Sequence, residues 1–139
     1  MNASTLPAVL YHGTSTGYLA GILARGLDPE ASADGYLCYT DDLATARYHA
    51  EHMAEWDTGS LESDCAPIVF ALPNARFDPE HFRLDANFIR LGPSHGRAVG
   101  QNLRERTWTW HDLLTHAGAV GYAARLSVTA ADLMTETWA

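Results

Sequence analysis

The 139-residue sequence predicts a single α+β domain over residues 1–139, on three observations. Short apolar runs of strand character are interleaved with segments of helical spacing. No regular βαβ alternation links them, which favours segregated sheets and helices over a doubly wound sheet. Hydrophobic residues at 47% and aromatics at 10% are ordinary values for a chain that buries a core.

The elements follow in order. Ala8-Val9-Leu10-Tyr11 reads as a buried strand, ended by the turn-prone His12-Gly13-Thr14-Ser15. Ser15 or Thr16 caps a helix that carries Leu19, Ile22 and Leu23 on one face, and Gly26 stops it. Asp28-Pro29 and Asp34-Gly35 punctuate a loop before a second strand, Tyr36–Thr40. Asp41-Asp42 opens a helix from about Leu43 to Glu55, with Ala46, Ala50, Met53 and Ala54 at helical spacing. The polar stretch Asp57–Asp64 separates it from a third buried strand, Pro67–Leu72. Residues 79–106 are irregular, with Gly92-Pro93 and Gly96 breaking any period. A helix around Trp110–Thr115, a strand over Ala119–Val128 and a short helical turn after Thr129 complete the chain.

Composition excludes several chemistries. All nine basic residues are arginine, so Schiff-base, phosphate-loop and general-base lysines do not exist here. A GC-rich genome is the simplest source of that bias. The net charge of −8 argues against a non-specific nucleic-acid coat, which needs cations to displace counterions. The charge is uneven. Residues 1–82 carry three arginines against twelve acids, whereas Arg83, Arg90, Arg97, Arg104 and Arg106 face only Asp85 and Glu105. The basic loop Arg83–Arg106 is a candidate contact for an anionic or macromolecular partner; its alternative is a solvated loop paired with the acidic body. No apolar run reaches the roughly 20 residues that span a membrane. Met1–Leu10 has neither a basic start nor a long apolar stretch, so a cytoplasmic location is expected. Cys38 and Cys65 have no metal or redox spacing, and free thiols are expected.

Two constellations carry the chemistry. Tyr11-His12-Gly13-Thr14-Ser15 places a histidine at a strand end, beside a glycine that lets a ligand approach the backbone and hydroxyls that add hydrogen bonds. Gly35-Tyr36-Leu37-Cys38-Tyr39-Thr40-Asp41-Asp42, with Ala44, Ala46, Tyr48 and Ala50, joins an aromatic strand to an alanine-rich helix presenting a tyrosine. That combination is a candidate flat slot for a planar ring; its alternative is that the tyrosines are ordinary core.

In this order and spacing, with Gly26-Leu27 between them, the two segments resemble the His-Tyr-Glu branch of the ADP-ribosyltransferase superfamily. That branch holds the poly-ADP-ribose polymerases, diphtheria-toxin-like enzymes and small bacterial or phage members. Trp110–Leu114, Gly118–Tyr122 and Leu126–Leu133 are similar to the last strands of the small members. The resemblance implies two split antiparallel β-sheets that grip NAD, a co-substrate, in the cleft between them. It implies that ADP-ribose passes to a macromolecular acceptor as nicotinamide leaves, the work of a toxin, phage or defence enzyme. His12 would bond the adenine-side ribose, and the Gly13 backbone, between Tyr11, His12 and Thr14, would hold the nicotinamide amide. A tyrosine of the second strand would pack on the nicotinamide, with Tyr48 on its other face. Tyr36 fits that strand position by the Gly-Tyr start and Tyr39 by the Tyr-Thr-Asp ending; alternation allows only one, and Tyr39 is preferred.

The sequence departs from the family at the glutamate. Ala119 or Gly121 stands where that acid is expected. Either Glu105 or Asp112 reaches in, or the domain works without the acid, or it is a catalytically silent nucleotide-binding module acting through a protein partner. No metal is expected: His49 and His52 lie at i, i+3, but a solvated helix face explains them better. Trp108 and Trp110 with Arg104 and Arg106 form an aromatic-basic patch, better explained as a half-buried element. The related RNA 2′-phosphotransferases need several arginines, and Arg25, Arg47 and Arg76 are all that residues 1–82 offer.

Overall fold

The computed structural model describes residues 6–32, 35–61, 64–83, 114 and 118–134. Strand β1 (Val9–Ser15) pairs antiparallel with β3 (Pro67–Pro73), from Val9 opposite Pro73 to Ser15 opposite Pro67. A second antiparallel sheet has the order β2 (Leu37–Tyr39), β5 (Val120–Tyr122), β4 (Phe82–Arg83). The helices are α1 (Leu19–Arg25) and α2 (Leu43–Leu61), the second packed on β1 and β3. The domain is thus α+β, with two antiparallel sheets.

Among the described residues, one β-bridge joins the two sheets. Tyr11 N–H donates to Thr40 C=O at 2.8 Å, and Thr40 N–H returns a bond to Tyr11 C=O at 3.0 Å. Thr40 is fixed in turn, its hydroxyl donating to Gly118 C=O at 2.7 Å and accepting from Asp42 N–H at 3.1 Å. This residue therefore ties β2, the approach to β5 and the start of α2 to a single point.

Alternation then sorts the side chains. Tyr11, Gly13 and Ser15 of β1 face α2, while Leu10, His12 and Thr14 face the main core. That core gathers Leu10, Leu27, Tyr39, Phe70, Leu72 and Val120, all at most 1% exposed. Each such side chain contributes about 1.5–3 kcal/mol by leaving water. The α2 side is a smaller cluster of Ala46, Ala50 and Val69. Alanines there let the helix lie close on the sheet.

Three expectations are corrected. The first strand extends through His12–Ser15, because these residues pair with Phe70–Pro67 instead of turning. Helix α2 continues past Glu55 to Leu61, because Asp57 is drawn inward by Ser15 and Tyr18. The last strand shrinks to Val120–Tyr122: Ala123 N–H bonds His81 C=O at 2.9 Å, and only a bridge at Leu126 to Leu27 follows. The stop at Gly26 (φ 85°) and the capped turn after Thr129 are as expected. Cys38 and Cys65 are not joined in a disulfide. Trp108, Trp110, Asp112 and Glu105 lie outside the described residues, as does the basic loop beyond Arg83. Among the described residues, no helix is long and apolar enough to cross a membrane.

Candidate functional site

A fork between β1 and β2 brings Tyr11, His12 and Gly13 together, three of the predicted residues. Tyr11 spends both backbone groups on Thr40, so they point away from β3. Because successive residues alternate, the N–H and C=O of Gly13 point the same way. There the bridge has ended: β2 turns off to pair with β5, Cys38 opposite Gly121. The backbone of Gly13 therefore faces the opening with one donor and one acceptor, side by side.

Gly13 is needed here for a reason the sequence reading missed. A Cβ on it would stand 2.0 Å from the Ala46 carbonyl oxygen and 3.0 Å from Ala50 N. The close approach that demands glycine is that of α2, on the face away from the core. The opening itself lies in the plane of the strands.

His12 stands at the mouth of the fork, half-buried, its ring 5.3 Å from that of Tyr39. Its Nδ1 lies 2.7 Å from the Cys38 carbonyl oxygen. A carbonyl only accepts, so Nδ1 carries the proton and Nε2 of the neutral ring is an acceptor. Burial holds the imidazole pKa below its ordinary 6.5, the Cys38 bond opposes this, and His49 adds to the lowering. The neutral ring is the folded form. Stability from this group is therefore complete above pH 6.5 and is lost as the pH falls through the folded value. We expect the native chain to lose more stability than a His12→Asn variant between neutral and mildly acidic pH, as read by denaturant titration.

The other predicted residues separate. Tyr39 is 1% exposed, its ring edge-on to Phe77 at 5.0 Å and to Tyr122 at 6.0 Å. It backs His12 from the core and offers no open face. Tyr36 lies on the opposite side of the sheet, half-buried, its ring over Gly121. Thr14 is buried on the core side, and the Ser15 hydroxyl is committed to Asp57, so neither extends the opening. Tyr48 is exposed on the outer side of α2, with its ring against His52 at 4.5 Å. The helix residue whose charge reaches His12 is His49.

The place of the expected glutamate is occupied. A Cβ at Gly121 would meet the Tyr36 ring at 2.6 Å, and Ala119 is 1% exposed. Among the described residues, no group of three His, Cys, Asp or Glu side chains converges as a metal site. Arg76 is held by Asp132 at 2.7 Å, which removes one of the three arginines a phosphate site would draw on. An open cleft of about 300 Å3 is lined by Asp28, Pro29, Glu30, Gly35, Ala123 and Arg125, none of them a predicted site residue.

One atom in the site stands out energetically. Among the described residues, the buried Tyr39 hydroxyl has no hydrogen-bond partner. Such a group costs about 1–3 kcal/mol. Burial is also the first cause of its raised pKa. Tyr39→Phe should accordingly raise stability by about 1 kcal/mol in chemical denaturation. A loss of stability in its place would mean that the hydroxyl has a partner.

Asp57 is the residue that sequence reading passed over. It accepts from the Ser15 hydroxyl and, at 3.3 Å, from the Tyr18 hydroxyl. Its signal was present: position 57 falls on the same helical face as Ala46, Ala50 and Ala54. Comparison of the chain with family models, with curated proteins and with solved structures found no match.

Proposed function

We propose that the fork binds the nicotinamide end of NAD and that the chain is an ADP-ribosyltransferase of the His-Tyr-Glu type. The observation that supports this most is the Gly13 backbone edge, one N–H beside one C=O, next to a neutral histidine of fixed tautomer. A primary carboxamide presents the complementary acceptor and donor. In this reading Gly13 N–H donates to the amide oxygen, and an amide N–H donates to Gly13 C=O. The Nε2 atom of His12 accepts from a ribose hydroxyl. The two small antiparallel sheets, bridged at Tyr11–Thr40, agree with the ADP-ribosyltransferase-like fold.

The reaction breaks the bond between ribose C1′ and the nicotinamide nitrogen, and the electron pair leaves with nicotinamide. An acceptor nucleophile adds to C1′ and gives up its proton. What the chain supplies is orientation of the two halves of the breaking bond.

A second reading has its own observation. Gly121 has no acid and is roofed by the Tyr36 ring, so no carboxylate meets the ribose from β5. That favours a catalytically silent NAD-binding module acting through a partner protein. The test is to incubate the full chain with adenylate-labelled NAD and a cell lysate, and to follow nicotinamide release and label transfer. The transferase reading expects both, reduced at least about 100-fold by His12→Ala. Calorimetric NAD binding without release selects the silent module. No binding and no release overturn both.

A further inference from the structure

Helix α2 buries one side on β1 and β3 and leaves an aromatic stripe on the other. Trp56 is 73% exposed and Tyr48 61%. Positions 48, 52 and 56 recur every four residues and so lie along one line of the helix. The His52 ring continues the line, packed at 62° against Tyr48. Glu51 and Glu55 are exposed beside it, with Asp41 and Asp42 before the helix and Asp64 after it. Large exposed rings gain nothing in water, and isolated ones need no explanation. A row of them edged by carboxylates has a defined chemistry.

We infer that this outer face of α2 docks an arginine- or lysine-rich segment of another protein. Charge complementarity selects the occupant. A second copy would bring carboxylates against carboxylates, in a chain of net charge −8. Nucleic acids and anionic membranes would be repelled by the same groups. Guanidinium and ammonium groups stack on indole and phenol faces, and the flanking carboxylates fix their orientation. Eight residues of helix place Trp56 about 12 Å from Tyr48. An extended peptide advances about 3.3 Å per residue, so cations three or four residues apart match the two rings. This proposal is independent of the NAD site.

The experiment uses the full chain at low ionic strength and a fluorescein-labelled peptide of glycine and serine with two arginines four residues apart. Anisotropy should show binding, weakened at least about 5-fold by Trp56→Ala and by Glu51→Gln with Glu55→Gln. Leu23→Ala, at an exposed apolar position on α1, should leave it unchanged. Four results overturn the proposal. They are no binding by the chain, equal binding by Trp56→Ala, equal binding of a glutamate version of the peptide, and equal binding of a single-stranded oligonucleotide. A marked fall in the melting temperature of Trp56→Ala would also overturn it, because the ring would then be covered by the chain itself.

Discussion

Gly13→Ala should destabilise the domain by at least about 3 kcal/mol, lowering its melting temperature by about 10 °C. One methyl group produces this because of what it meets. The new Cβ would fall 2.0 Å from the Ala46 carbonyl oxygen, a main-chain atom in the first turn of α2. Neither strand nor helix can yield alone: β1 is held on one side by β3 and on the other by the Tyr11–Thr40 bridge. Trimming a side chain cannot relieve the contact, so Ala46→Gly should fail to rescue the variant. A double variant that regains the native midpoint in calorimetry would show that the helix can shift, and the close-packing account would be wrong. If the fork binds NAD, affinity in Gly13→Ala should fall along with stability, since α2 cannot retreat without moving the strand that carries the ligand-facing amide.

This position also shows what the sequence could disclose and what it could not. Strand, helix and glycine stop are written in local patterns: the apolar run at Val9, the spacing of Leu19 and Ile22, the glycine at 26. The fork is not local. It depends on Thr40 meeting Tyr11 and on Cys38 meeting Gly121, pairings between residues far apart in the chain. From sequence, Gly13 could be read as room for a ligand; its neighbour is a helix that begins some thirty residues later.

The two tyrosines of the second strand show a different limit. Alternation predicts that Tyr36 and Tyr39 face opposite sides, and they do. Which side is the core depends on the neighbouring strands, and Phe77 and Tyr122 decide it for Tyr39. For Tyr48, sequence order gives a tyrosine on an alanine-rich helix, among Ala44, Ala46 and Ala50. The helical turn carries it to the outer face, because Ala46 and Ala50 already occupy the inner one. The same packing sets His49, one residue on, where its charge acts on His12.

Asp57→Ala should cost about 3 kcal/mol, and the cost should come from the hydroxyls left behind. Ser15 is fully buried, and its Oγ donates to Asp57 while accepting from Gly17 N–H at 3.2 Å. Without the carboxylate, that hydroxyl proton has no acceptor and no route to water. Tyr18 is 47% exposed and can turn outward, so its share is small. Asp57→Asn keeps an acceptor oxygen but loses the charge, and should cost about 1 kcal/mol. Ser15→Ala removes the stranded donor. Combined with Asp57→Ala, it should cost clearly less than the two single variants added together. Strict additivity in denaturant midpoints would show that the two side chains do not act as a pair. The link to function runs along β1: Ser15 lies two residues beyond Gly13 on the same face, so this bond pins the far end of the strand to α2. Releasing it frees the strand to move where the fork must hold its amide edge still. Any ligand taken by Gly13 and His12 should therefore bind more weakly to Asp57→Ala than its remaining folded fraction alone would predict.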